Sequence, residues 1–526
     1  MECPAAAPSA GRGGSRRAAR LAGITAAAVF LGLVARFWHP VWGLTAFIQL
    51  DASYDAKKIE AFRTQPVYVF RDSGPYDGIA YSQIAYHPML RADELRTAVD
   101  NLAYRARRIL PPALAWMLAG GDPARIVQVY VLLNVAAWLA LAAILWRLLA
   151  VGDFRSWLSW AGLLFSAGAL ASVREALTDL IALCFLAGAM LAKERNHPRI
   201  APGWLAAAAL SRETSLAALP GLWTKPWLSR ANARRTLIAA APLALWMLYI
   251  RWQVGPASQG WSNFALPVAG LAEKWTASIA AAGLPHDRVL GWTTLLATAG
   301  LTAQASFLLL RPRIADPWWR IGGAYGVMML LLGTAVWEGY PGAAQRVLLP
   351  MSLAFFVTAL RQRASTAWLL AGGLTVFAGL LPLLDAPFDI REMAAVRHND
   401  DACIVRVGDG WFGSERTRRH IWAWSQGDAH LDIRSWPRAE RTWRIDFSMR
   451  SLVPRTVEIL QDGRELWRGT IGAARTPVAL SFRAAGGGAR LDFLTDAPAV
   501  PEGADPGARR LAFALYDPQV NVTDSR

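Results

Sequence analysis

Two patterns of apolar residues divide the chain, with the change falling near residue 400. Upstream, long apolar runs lie at about 19–40, 125–149, 156–173, 176–192, 236–252, 289–310, 318–336, 347–360 and 366–384. Roughly 20 apolar residues in helical form cross a hydrocarbon core of about 30 Å, so these runs predict membrane helices. A further segment, 201–223, is long enough to span once but carries Arg212 and Glu213 at its centre. Downstream, apolar and polar residues alternate. Trp443, Ile445, Phe447 and Met449 are interleaved with Arg444, Asp446 and Ser448, the period-two pattern of a half-buried strand. Asp462-Gly463 between Val457–Leu460 and Glu465–Trp467 predicts a type I′ hairpin, and Val478/Leu480/Phe482, Leu491/Phe493 and Leu511/Phe513/Leu515 alternate in the same way. Short strands with Gly and Pro punctuation over residues 400–526 predict a β-sandwich.

Charge refines this reading. Of 526 residues 54% are hydrophobic and 18% charged, with a net charge of +16. Residues 385–526 hold 20 Lys/Arg and 20 Asp/Glu, so the whole surplus lies among the apolar runs of the first 384 residues. That distribution argues against a nucleic-acid partner and for membrane topology. Residues 1–18 read as a disordered basic tail, and the run after it as an uncleaved first span rather than a signal peptide. With that tail inside, Arg147/Arg155 and Lys193/Arg195/Arg199 are cytoplasmic. The clusters Lys225–Arg235, Arg311–Arg320 and Arg361/Arg363 join them only if 201–223 enters and returns. The reading is therefore a hairpin whose tip, Ser211-Arg212-Glu213-Thr214, sits at membrane depth, where polar groups must be buried in protein or line a wet cavity. Residues 19–384 form the polytopic domain, with an external loop at 43–110, a second at 253–288, and the sandwich outside. Cys3, Cys184 and Cys403 have no zinc or redox spacing.

Candidate chemistry gathers where the chain leaves the membrane on the outer side. Gly74-Pro75 predicts a turn, and the Ile79/Gln83/Tyr86 spacing a helix, which puts Asp77 at or near a helix N-terminus. An ionised, oriented carboxylate serves a general base, and a helix cap needs the same position. Asp72 is the second candidate carboxylate, with Tyr76 and Tyr104 as polar neighbours. Arg105 and Arg108, spaced i,i+3 before Pro111-Pro112, suit a lipid phosphate, or equally the anionic headgroups of the bilayer. Arg174-Glu175, Asp179, Glu338, Arg346 and the Arg212-Glu213 tip complete a ring of outer charges that favours a polar reaction cavity. In the tail, Trp411, Trp422, Trp424 and Trp436 are either exposed glycan contacts or core or membrane-facing residues of a domain that only caps the cavity.

The Tyr76-Asp77-Gly78 opening of an Ala- and aromatic-rich helix, the segment Ala103-Tyr104-Arg105 to Pro112, Leu177-Thr178-Asp179 and Leu210-Ser211-Arg212-Glu213-Thr214 together resemble the multispan GT-C glycosyltransferases. The likeness is to the mannosyltransferase branch of glycolipid-anchor assembly and to bacterial proteins of cell-surface glycopolymer formation. It implies an α-helical multispan membrane domain; the C-terminal extracytoplasmic β-sandwich, read from the alternation, is not shared with the glycolipid-anchor enzymes, so the acceptor is not inherited from them. The activity implied is inverting transfer of a sugar from a polyprenyl-phosphate carrier to a glycan or glycolipid acceptor on the outer face of the plasma (bacterial inner) membrane. Asp77 takes the place of the catalytic aspartate, with Asp179 and Arg212 at later positions, while Arg105, Arg108 or Arg346 faces the departing phosphate. No Asp-x-Asp pair is present, so no metal or other cofactor is assigned and a divalent cation stays an alternative. Two other readings remain: a transporter or flippase for lipid-linked sugars, and a non-catalytic scaffold of polysaccharide assembly.

Overall fold

The computed structural model describes residues 11–526 except 72, 75, 257–262, 399–400, 437–440, 485–487, 506 and 524–526. The chain forms two compact units. One comprises residues up to Phe37, Leu44–Phe62 and Tyr68–Ala386, the other Trp38–Gly43, Arg63–Val67 and Pro387–Arg526.

The first unit is helical. Its helices are α1 (Gly11–Ala35), α2 (Glu60–Arg63), α3 (Asp77–Ile84), α4 (Glu94–Ala98), α5 (Leu102–Arg105), α6 (Leu110–Leu118), α7 (Pro123–Leu148), α8 (Phe154–Leu164), α9 (Ala167–Arg174) and α10 (Asp179–Glu194). They continue through α11 (Ala201–Ser211), α12 (Arg230–Gln253), α13 (Ala269–Gly283), α14 (Arg288–Leu309), α15 (Pro317–Leu331) and α16 (Thr334–Trp337) to α17 (Ala344–Val347), α18 (Leu349–Arg361), α19 (Thr366–Gly372) and α20 (Val376–Leu384). Among the described residues, four segments are long and apolar enough to cross a membrane: 16–35, 123–148, 230–253 and 366–384. The bent pair α8 and α9 makes a fifth if it counts as one span.

This is fewer than the nine apolar runs. The runs are helical, but length and polarity set them apart. At 1.5 Å per residue the 16 residues of α10 reach only about 24 Å and the 13 of α18 about 20 Å. The 22-residue α14 is long enough, yet it buries Thr294, Thr298 and Gln304. The N-terminus also differs from expectation. Residues 1–10 of the expected disordered tail lie outside the described residues, and residues 11–18 belong to α1, where Arg16, Arg17, Ala18 and Ala19 are good helix formers feeding directly into the apolar run.

The segment 201–221 is a hairpin. Helix α11 ends where Arg212 becomes extended (φ −156°, ψ 119°), and a 3-10 helix, Glu213–Gly221, follows. The two arms, about 16 and 18 Å long by their rises, are equal within a residue. Lys193 Nζ at the end of α10 donates to the Gly221 carbonyl at 2.5 Å, so the chain returns to the level at which it entered. The basic clusters collect at that end: Arg361 and Trp318 both bond Glu194 at 2.6 Å, and Arg320 donates to the Trp223 carbonyl at 2.9 Å. The hairpin tip and the start of α10 therefore lie at the opposite end.

The second unit is all-β, built from β1 (Glu392–His398), β2 (Asp401–Val407), β3 (Glu415–Arg416), β4 (Ile421–Trp424), β5 (Ala429–Ser435), β6 (Arg441–Ser451), β7 (Arg455–Gln461), β8 (Arg464–Ile471), β9 (Thr476–Ala484), β10 (Ala489–Thr495), β11 (Val500–Pro501), β12 (Arg510–Leu511) and β13 (Phe513–Val522). A six-stranded antiparallel sheet has the order β1-β2-β5-β10-β7-β8 and a five-stranded one β3-β4-β13-β6-β9. Val405, Leu431 and Phe493 of the first share one core with Trp443, Ile445 and Phe447 of the second, which makes the pair a sandwich. Trp411 and Trp424 are buried, Trp411 between Phe493 and Phe513, so neither is an exposed glycan contact. Trp422 stacks on Tyr516, and Trp436 meets the ring of Trp42 edge-on. Asp462 and Gly463 have φ of 51° and 78°, the left-handed pair that a type I′ turn requires.

A Cβ at Gly463 would touch nothing, so Gly463→Ala isolates backbone strain. It should lower stability by about 1 kcal/mol, seen as a drop of a few degrees in the melting temperature of the full chain. An unchanged melting temperature would mean the turn is not held in this geometry.

Candidate functional site

Asp77 is placed by backbone contacts on both sides. Upstream, the buried Asp51 accepts hydrogen bonds from Ser53 N at 2.9 Å on one oxygen and from Ser73 N at 3.0 Å and Gly74 N at 3.2 Å on the other. The hydroxyls of Ser53 and Ser73 add to these, and the set holds the Asp51 carboxyl down to about 2. The chain is thereby fixed ahead of Tyr76, which is extended (φ −125°, ψ 167°), and α3 begins at Asp77 itself. On the other side, a Cβ at Gly78 would lie 2.3 Å from the Glu175 carbonyl oxygen. Only glycine lets the first turn of α3 approach the turn between α9 and α10 this closely.

Arg105 ends α5 and pairs with Asp77 (Nη1–Oδ1 2.6 Å) and with Asp100 (Nη2–Oδ2 3.0 Å). The helix stops there, so the i,i+3 argument for Arg105 and Arg108 fails. Residues 106–107 form a turn and 108–109 are irregular, and Pro111 and Pro112 open α6 in its first turn, where a proline removes no helical bond. Both arginines nevertheless reach one cavity. Arg108 grips Glu213 of the hairpin tip through two 3.0 Å bonds, donates to Tyr104 Oη at 3.2 Å and also bonds Tyr81 Oη. Arg346, on α17, donates to Tyr76 Oη at 2.7 Å and pairs with Asp179 at 3.3 Å. The other oxygen of Asp179 pairs with Arg212. Arg346 sits here because α17 packs against α9 at Gly168, where a Cβ would lie 2.1 Å from the Gln345 carbonyl oxygen.

These side chains line a cavity of about 900 Å³. Tyr76, Asp77, Tyr104, Arg105, Arg108, Arg212, Glu213, Glu338 and Arg346 all face it, whereas Asp179 stands behind its wall, 3% exposed, bridging two arginines. Asp72 lies outside the described residues. Arg174, expected in the ring, is instead buried against Phe37 and Phe70 with its guanidinium on the Ala46 carbonyl. Sequence reasoning passed over two residues. Asp51 carried the signal of a carboxylate two residues before a serine, as in an Asx turn. Arg107 lines the cavity above the ring of Tyr104 and has no carboxylate within ion-pair distance among the described residues, while Arg108, Arg212 and Arg346 each have one and Arg105 has two. No cluster of three or more His, Cys, Asp or Glu residues among the described residues is arranged to hold a metal ion.

Burial alone would raise the Asp77 carboxyl, but the charges of Arg105, Arg346 and Arg108 outweigh it and hold Asp77 below its ordinary value. The carboxylate is thus ionised at neutral pH. Arg105 is shifted the other way: burial would lower it, and the charge of Asp77 raises it above its usual value. Glu175, whose Oε2 is buried without a partner among the described residues, is pushed up to about 7 by burial, against the pull of Arg346 and Arg174. The cavity therefore offers an ionised carboxylate at a helix start beside an excess of guanidinium, an arrangement that accepts a proton at one point and stabilises an oxyanion at another.

No protein-family model matches the chain, and no curated protein shows significant similarity to it.

Gly78→Ala should force α3 away from Glu175 and loosen the Asp77–Arg105 pair, raising amide exchange in residues 76–80. Unchanged exchange there would show that the close approach is not structural. Glu175 gives a pH test. Its folded value lies above its unfolded one, so its contribution to stability is complete below about pH 4.5 and is lost as pH rises through about 7. Glu175→Gln should abolish that part of the decline in melting temperature between pH 4.5 and 8; an identical decline in both proteins would place the titration elsewhere.

Proposed function

We propose that the helical unit is a GT-C-like glycosyltransferase of the plasma membrane, with its N-terminus cytoplasmic, the cavity opening on the outer side and the β-sandwich outside. It moves a sugar from a polyprenyl-phosphate carrier to a hydroxyl of a cell-surface glycan or glycolipid. The observation that carries this reading is the pairing of Asp77 with Arg105 at the wall of a 900 Å³ cavity lined by five arginines and three carboxylates. The gathering of basic clusters at the opposite end of the unit supports the orientation.

In the reaction Asp77 takes the proton from the acceptor hydroxyl as its oxygen bonds to the anomeric carbon. The bond from that carbon to the phosphate oxygen breaks with its electron pair, and polyprenyl phosphate leaves. Attack from the face opposite the leaving group inverts the centre. Arg107, which needs no partner displaced, is the first ligand for the donor phosphate. A phosphate close to Arg105 also competes with Asp77 for that guanidinium. As the pair loosens, Asp77 loses the charge that depressed it and becomes a stronger base. Donor binding thus readies the base, and an empty site keeps it paired and inactive.

Purified protein given labelled polyprenyl-phosphate sugars and membrane acceptors should transfer sugar. Asp77→Asn should cut turnover by about 10²- to 10⁴-fold with the protein still inserted at normal level. Arg107→Gln should weaken donor KM about tenfold, the worth of one charge-assisted hydrogen bond, with less effect on kcat. Turnover untouched by Asp77→Asn rules out its role as the base.

A further inference from the structure

A second, smaller cavity of about 220 Å³ adjoins the first and shares Glu338 and Gly339 with it. Lys274 of α13 lines it and is only 6% exposed. Its ammonium donates to the Gly339 carbonyl at 2.6 Å and lies 5.6 Å from the centre of the Tyr340 ring, with no carboxylate in ion-pair distance among the described residues. An ammonium taken out of water without a counter-charge is costly, and one backbone carbonyl uses one of its three donors. Burial lowers its pKa to about 8, which leaves it cationic at neutral pH. The indole N–H of Trp337, 1% exposed and also lining the cavity, has no partner among the described residues.

The remaining walls are of two kinds. The half-exposed Tyr340 offers ring surface, and the exposed Glu273 and Glu338 offer acceptor oxygens. One Glu273 oxygen is engaged by the Thr334 hydroxyl. A simple anion satisfies Lys274 but meets two carboxylates. A neutral sugar satisfies the carboxylates through its hydroxyls and leaves the ammonium unpaired. A hydroxylated ring carrying a single negative group satisfies both, and aromatic surface suits the apolar face of such a ring. The volume holds about seven waters at ~30 Å³ each, room for one ring but not for a chain.

We propose that this cavity is a subsite for an acidic sugar residue of the acceptor, with Lys274 holding its carboxylate or phosphate. The assignment rests on the sugar-transfer reading of the larger cavity, and it gives the acceptor a chemistry: an anionic glycan whose acidic ring lies next to the hydroxyl presented to Asp77. Lys274 is a binding residue here, and its bond to Gly339 is also the strap a purely structural role would need.

The test is binding of monosaccharide glycosides to the full-length protein in nanodiscs, followed by saturation-transfer NMR. The probes are methyl glucuronide, methyl glucoside 6-phosphate, uncharged methyl glucoside and inorganic phosphate. At least one acidic glycoside should bind ten or more times tighter than methyl glucoside and than inorganic phosphate, and which of the two does so tells carboxylate from phosphate. Lys274→Gln, which keeps a donor for Gly339, should erase the preference, and Lys274→Arg should retain most of it. Equal binding of charged and uncharged glycosides, equal binding of inorganic phosphate, or a preference that survives Lys274→Gln overturns the proposal. Sugar transfer without an acidic preference removes this subsite alone. An acidic preference without transfer leaves the subsite and removes the transferase reading.

Discussion

Arginine–carboxylate pairing between segments far apart in sequence is the constraint on which the cavity end of the helical unit depends. Arg108 of the segment between α5 and α6 holds Glu213 of the hairpin tip, and Asp179 at the start of α10 holds both Arg212 and Arg346. Arg105 holds Asp77. Each of these charges is poorly hydrated, so each needs its partner, and removing one strands another. The pairs therefore do for the cavity wall what apolar packing does elsewhere: they fix the positions of α3, α10, α17 and the hairpin relative to one another. Glycine makes the approach close enough, at Gly78 against Glu175 and at Gly168 against Gln345.

The same pairing shapes what the site can do. A guanidinium saturated by carboxylates has little left for a phosphate, and Arg108, with two bonds to Glu213, is the clearest case. The candidate phosphate ligands divide accordingly. Arg108 and Arg346 build the wall, Arg107 has no carboxylate partner among the described residues, and Arg105 stands between, bound to two aspartates and able to trade one of them for a ligand. On the proposed transferase reading, that middle position makes Asp77 a base paired at rest and released by the donor's own charge.

Much of the fold was legible in the sequence, because it is written in local patterns. The period-two alternation around Trp443–Met449 lies in β6, the Asp462-Gly463 dipeptide makes the β7–β8 turn, and the Gly74 to Tyr86 pattern puts a helix start at Asp77. The hairpin was legible only through the bookkeeping of loop charges, since the apolar run alone suggests one crossing. What was not legible depends on distant contacts. Neither the division of labour among Arg105, Arg107 and Arg108 nor the bridging role of Asp179 is encoded in spacing, because the carboxylates and arginines that decide them come mostly from other segments, in the cases of Glu213 and Arg346 from more than a hundred positions away. Trp411 and Trp424 were undecidable for the same reason: which face of a strand is buried depends on the opposing sheet. The number of membrane-length helices was overcounted because hydropathy measures polarity and not where a helix stops.

The central claim is that Asp77 acts as an ionised base whose proton affinity is set by Arg105. The pH dependence of kcat/KM for sugar transfer, measured for the wild type and for Arg105→Gln, tests it most directly. With the arginine present, the acidic limb should lie below the ordinary carboxylate range, since Asp77 accepts protons only as pH falls through its depressed value. Removing the positive charge should move that limb to higher pH, by an amount that reports the strength of the pair. An acidic limb at the same pH in both proteins would contradict the account.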